Sequence, residues 1–194
     1  MLDHEKGRFV LNVIQKSAGF TLIEMLIVVA IVALLTTLGI PSFRVWIQNT
    51  QIYTAAESAQ NGLQKAKAEA VKRNSNVTFA LLGASPVWDS SWIVTDATTG
   101  ATVESRSGGE GSKNVTSKGL TVNPLTGVAT TTQATTVTFS NLGGVVANVA
   151  NLGQIDFSSS LTGTRSLRVT IGIGGNVRMC DPDTSLKTTD PRKC

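Results

Sequence analysis

One stretch near the start limits what this chain can be. From Phe20 to Ile40 it reads FTLIEMLIVVAIVALLTTLGI, 21 residues whose single charge is Glu24. As a helix that length covers ~30 Å, the thickness of a bilayer's hydrocarbon core. Lys6, Arg8 and Lys16 precede the stretch, and the first basic residue after it is Arg44. The positive-inside bias therefore assigns the leader to the cytoplasm and everything after the stretch to the other side. An ordinary secretory signal would end in a small-x-small cleavage pattern, and Thr37-Leu38-Gly39 is a poor version of one. The stretch reads as a retained anchor.

The rest of the chain is rich in Thr, Ser, Gly and Asn, and its 194 residues suffice for one globular domain plus an appendage. Seventeen Lys and Arg against 13 Asp and Glu give +4, which excludes a polybasic nucleic-acid coat or an acidic tail. The only histidine is His4 and the only cysteines are Cys180 and Cys194. From these neither a nucleophile-imidazole pair nor a Cys/His zinc site can be built. The cysteines, with 13 residues between them, read as a disulfide formed in an oxidising compartment. Asp181 and Asp183 offer two carboxylates where calcium wants roughly six to eight oxygens, so a solvated turn is expected, with no metal and no cofactor.

Glu24 is an expensive residue at this depth, and such residues are by default functional. Capping is the plain explanation: Thr21 and Glu24 have capping-box spacing and Phe20 and Met25 that of a hydrophobic staple. Capping does not explain Gly19 directly before Phe20, or a polar leader ending there. Ala18-Gly19-Phe20-Thr21-Leu22-Ile23-Glu24 followed by the apolar run resembles the N-terminal signature of type IV pilins and pseudopilins. The resemblance implies that a prepilin peptidase cuts after Gly19 and methylates the new N-terminus, Phe20. It also implies that Glu24 pairs with the N-terminal amine of a neighbouring subunit during assembly, which relieves an otherwise unpaired charge. Cleavage would remove three of the 17 basic and two of the 13 acidic side chains, leaving 14 against 11, a net +3, and no histidine.

Beyond Pro41, where the ring removes a backbone donor and a kink is expected, Ile52, Ala56, Ala59, Leu63, Ala66 and Ala70 recur at spacings of four and three. This is one face of an amphipathic helix running to about Arg73. Lys65, Lys67, Lys72 and Arg73 then form a solvated face. After Asn74 the pattern changes to short β-type runs: Asn76 to Leu82, Trp92 to Thr95, Gly119 to Val122, Gly127 to Thr132, Thr136 to Ser140, Gly143 to Val149, Gln154 to Phe157, Arg165 to Ile173 and Val177 to Cys180. Arg106 to Asn114 is the expected mobile loop. The Asn-Val-Thr triplets at Asn76 and Asn114 are chance matches to a glycosylation pattern. The last two runs predict a hairpin with the three-residue loop Gly174-Gly175-Asn176, pairing Ile173 with Val177 and Ile171 with Met179. Arg168 and Arg178 then share the outward face.

The expected fold class is α+β, a long N-terminal helix on an antiparallel sheet domain, divided as leader 1–19, membrane half of the helix 20–41, amphipathic half 42–74 and β-rich domain 75–194. Glu69 to Asn74 running into Val77 to Leu82, the strand Trp92-Ile93-Val94 and the segment Gly175 to Cys180 resemble the GspH/FimT-type minor pilins and pseudopilins. That resemblance implies a structural subunit, not an enzyme. Its partners would be other major and minor pilins, the prepilin peptidase, an inner-membrane assembly platform and membrane lipid, with the domain periplasmic until assembly into a pilus or pseudopilus. A type II secretion role uses the same anchor and fold. Some FimT-like relatives bind DNA through a Gly-Arg-x-Arg motif. Here Gly175-Asn176-Val177-Arg178 keeps one of the two arginines, so Arg168 and Arg178 are candidate DNA contacts and DNA is not the favoured partner.

Overall fold

A computed structural model describes residues 19–83, 88–123, 128–147 and 150–194. They comprise one helix, α1 (Leu22–Arg73), and ten strands: β1 (Val77–Leu81), β2 (Trp88–Asp89), β3 (Trp92–Asp96), β4 (Thr102–Arg106), β5 (Thr116–Val122), β6 (Ala129–Gln133), β7 (Thr136–Phe139), β8 (Leu152–Ser158), β9 (Leu167–Ile171) and β10 (Val177–Cys180). Pro41 lies inside α1, and the chain divides into two compact units between Ile40 and Pro41. Among the described residues no single straight helix is long and apolar enough to cross a membrane; Leu22–Thr37 and Ile40–Arg73 reach that length and apolarity only as a pair.

In the second unit every strand pairing is antiparallel, as an α+β chain with short connections requires. One sheet has the order β4-β3-β1-β7, the other β10-β9-β8-β5-β2, with β6 also on β5. The stripe expected on the helix is its buried face: Ile52, Ala56, Ala59, Leu63, Ala66 and Ala70 are at most 1% exposed and share one core with Phe79, Phe139 and Phe157. Alanines let the sheets come close to the helix backbone. At Gly62 they come closer still, because a Cβ there would lie 2.9 Å from the Trp92 ring. Trp92 is pinned by stacking on Phe79 and by donating its indole N–H to Ser58 Oγ at 2.9 Å. The helix ends where Asn74 turns to φ 51°, with Ser75 N–H on the Ala70 carbonyl and Asn74 N–H on that of Val71. These two bonds form a Schellman motif.

Several expectations need correction. β2 and β4 were not foreseen, and of the run expected from Gly143 only Val145 makes a bridge, to Phe139, with 148 and 149 outside the described residues. The segment Arg106 to Asn114 is anchored: Gly108 N–H donates to Ser91 Oγ at 2.7 Å, and Ser90 and Ser112 hydroxyls meet at 2.7 Å. The final hairpin is shifted by two residues, so that Val177 faces Ile171 and Met179 faces Val169. Its loop, 172–176, closes with Gly172 N–H on the Asn176 carbonyl at 2.9 Å. The cause is tertiary: the Ile173 carbonyl accepts from Val145 N–H at 2.8 Å, which draws Ile173 out of the ladder and leaves it 62% exposed. A shift of two preserves facing, so Arg168 and Arg178 still share a face.

The helix cations are less free than a solvated face implies. Lys72 and Arg73 both pair with the buried Glu69, and Lys67 Nζ donates to the Gly175 carbonyl at 3.0 Å.

Candidate functional site

The signature residues begin the described chain, and His4, Lys6, Arg8, Lys16 and Ala18 lie outside it. Thr21 and Glu24 form the capping box that their spacing predicts: Glu24 N–H donates to Thr21 Oγ1 at 3.2 Å, and Thr21 N–H to Glu24 Oε2 at 3.5 Å. The return bond is long, so the carboxylate keeps most of its accepting capacity. A carboxylate at a helix N-terminus, beside apolar side chains as exposed as Phe20 (77%) and Leu22 (79%), is placed to receive a cation brought by another molecule. Nothing lies within 4 Å of where a Gly19 Cβ would stand, so no packing within the described chain demands glycine there.

The second cluster surrounds the tail. Cys180 and Cys194 are joined by a disulfide, with Cα atoms 5.0 Å apart. Asp181, expected in a solvated turn, is 4% exposed and pairs with Arg165 at 2.5 Å. Its backbone N–H donates to the Arg192 carbonyl and its carbonyl accepts from Cys194 N–H. Asp183 caps the turn: its carboxyl sits below the ordinary range because Ser185 N–H donates to it. Asp190 is held at about 2, chiefly by the guanidinium of Arg192 and then by that residue's backbone N–H. Among the described residues no three His, Cys, Asp or Glu side chains converge on a metal position.

The two candidate DNA contacts are both engaged within the fold. Arg168 forms a forked pair with Asp156 across β9 and β8, at 2.6 and 3.0 Å. Arg178 Nη2 donates to the carbonyls of Pro191 at 3.1 Å and Lys193 at 3.0 Å, so it ties the tail to β10. Arg168 is thereby neutralised by an ion pair, whereas Arg178 stays exposed with Nη2 engaged on neutral carbonyls. The partner missed from sequence is Asp156. Its signal was available in the alternation of Gln154 to Phe157, which sends Asp156 to the face away from the core.

The family model described as type II transport protein GspH matches residues 55–175, and that of the prokaryotic N-terminal methylation motif matches residues 14–40. Among solved structures, two crystal forms of the type IV minor pilin FimU of Pseudomonas aeruginosa strain PAO1 are similar, at 17% and 18% identity. They cover 66% of this chain and 90% and 87% of their own, with TM-scores of 0.46 and 0.47. No curated protein matches the chain by sequence.

Proposed function

The chain belongs to the GspH family of pilin-like subunits, and from that premise we propose that it is a minor pilin or pseudopilin whose chemistry is assembly, acting in priming or at the tip of the fibre. One observation carries the reading: a single run of residues places Gly19, Phe20 and Glu24 at the head of an apolar helix, inside the matched methylation motif. On this reading the prepilin peptidase cuts after Gly19 and methylates Phe20. The helix holds the subunit in the inner membrane, with the β domain periplasmic. Glu24 then takes the N-terminal amine of a neighbouring pilin as its counter-ion when the assembly platform extracts the subunit. An uncompensated buried charge costs several kcal/mol, so subunits settle where this pair forms. Phe20 and Glu24 act as assembly residues, and no residue is assigned a catalytic role.

The membrane-extracted protein tests this directly. N-terminal sequencing and mass measurement should give a chain that begins at a methylated Phe20. A chain beginning near Ile40 would show ordinary secretion and refute the reading.

DNA uptake is the weaker alternative, because Arg168 is neutralised by Asp156, Arg178 already ties down the tail through Nη2, and Asn176 stands where the DNA-binding motif has its other arginine. A type II secretion role is served by the same anchor and the same pair at Glu24.

A further inference from the structure

The helix turns just after Pro41 carry side chains that the domain itself does not use. Phe43 and Trp46 stack with ring centroids 5.7 Å apart, yet they are 59% and 63% exposed. By helical spacing Ile47, also exposed, lies between this aromatic pair and Arg44. Ile47, Arg44, Lys113 and Leu161 line one cavity of about 580 Å³. Gln48, also in its wall, donates its side-chain N–H to the Asn114 carbonyl at 3.2 Å, which fixes the segment bearing Lys113 to the helix bearing Arg44. Both cations are exposed, and neither has an ion-pair partner among the described residues.

An exposed aromatic stack beside two unpaired cations is a surface built for a partner that is apolar at one depth and anionic at the next. We propose that this face docks on the anionic phospholipid headgroups of the membrane that holds the chain, Arg44 and Lys113 meeting lipid phosphates while Phe43 and Trp46 lie in the interfacial layer. The inference rests on the anchored-subunit reading above. Chain connectivity supports it. The apolar run ends at Ile40 and Trp46 follows six residues later, so the covalent chain keeps Trp46 near the headgroup layer. Tryptophan is enriched at that depth, and basic residues there gain from the negative surface potential. Docking would hold the domain against the bilayer before extraction, and the same contacts would have to break on entry into a fibre.

Trp92 is 2% exposed, whereas Trp88, 5% exposed, also lines the cavity, so the test is made in a Trp88→Phe background, where lipid-dependent changes in intrinsic fluorescence report on Trp46. The test uses the full-length chain in nanodiscs of phosphatidylcholine, with and without phosphatidylglycerol, and lipids brominated either near the headgroup or near the chain terminus. Docking predicts that Trp46 is quenched more by the shallow bromines, and that phosphatidylglycerol strengthens the quenching while salt weakens it. In the Arg44→Gln/Lys113→Gln double variant the docked-to-undocked ratio should fall about 25-fold, five-fold for each basic residue. Quenching that is indifferent to phosphatidylglycerol and unchanged in the double variant would overturn the proposal. So would shielding of Trp46 that appears only when other pilin subunits are added in lipid-free detergent, because the surface would then be a subunit contact. A chain shown to begin at Phe20 and to stay in the nanodisc, yet with Trp46 unquenched, defeats the docking alone. A chain that fails to stay in the nanodisc defeats the anchored reading.

Discussion

The indole N–H of Trp92 and the hydroxyl of Ser58 meet at 2.9 Å in the core, joining an inner strand of one sheet to the C-terminal half of α1. Both residues are buried, and the ring lies over Gly62, one turn further along the helix. The helix accepts a glycine, a poor helix former, because the ring occupies the volume that a side chain would take.

Gly62→Ala should therefore destabilise the domain although alanine is the better helix former. The propensity gain is ~1 kcal/mol, whereas forcing a Cβ against a pinned ring costs about 1–3 kcal/mol. Thermal unfolding of the variant should show a lower midpoint, with Gly62→Leu lower still. An unchanged or raised midpoint for Gly62→Ala would mean that the ring moves freely.

At the head of the chain, Glu24→Ala should leave leader removal largely intact and weaken incorporation into fibres. Gly19 should behave oppositely, a bulky replacement leaving full-length precursor in the membrane. Immunoblots of membrane and sheared-fibre fractions separate the two, and wild-type levels of mature protein from a Gly19→Leu variant would refute the processing site.

Reduction of the disulfide, or the Cys180→Ser/Cys194→Ser double variant, should cost ~3 kcal/mol and open the tail to protease. Thiol titration of the membrane-extracted protein, prepared without reductant, should find no free thiol. Two titratable thiols would contradict the crosslink.

Arg178→Ala should loosen the tail rather than abolish a nucleic-acid site. Two charge-assisted bonds to carbonyls on the protein surface contribute about 1 kcal/mol, visible as a lower unfolding midpoint and faster cleavage within the tail. Binding to duplex DNA should remain a weak background in both proteins. Micromolar binding at physiological salt that Arg178→Ala abolishes would restore the DNA reading.

Acid should destabilise the domain in a defined window. The carboxyl of Asp96 is lowered first by the backbone N–H of Thr99 and then by that of Thr98, that of Glu69 first by Arg73, and Asp190 falls from 3.8 to about 2. Each group binds its proton less readily folded than unfolded, so its contribution is complete above the unfolded value and is lost as pH falls through the folded one. The unfolding midpoint should hold level down to about pH 5 and drop between about pH 4 and 2. Asp190→Asn should flatten part of that drop, and a midpoint equally steep in the variant would assign the loss elsewhere.

How much of this could be read in advance depended on how locally each feature is determined. The helix stripe from Ile52 to Ala70 and the alternation of Val77 to Leu81 were legible because burial repeats with the period of the element itself. Thr102–Arg106 was not, since an edge strand with no buried residue carries no such alternation. The hairpin register failed for a different reason: it assumed a buried Ile173, whereas Val145, far away in sequence, takes the Ile173 carbonyl. The signature at Gly19, Phe20 and Glu24 was fully local and needed no fold. The engagement of Arg168 was not, since it depends on which strand lies beside β9.

The bond between Cys180 and Cys194 has a mechanical consequence. A partner gripping the intervening segment pulls on a loop whose two ends meet at one point of β10. Up to about 45 Å of contour length is thereby withheld from extension. Tension passes into the ladder between β10 and β9, with Arg178 fastening the tail to β10 as a second tie, and the subunit can be dragged by its tail without the tail paying out.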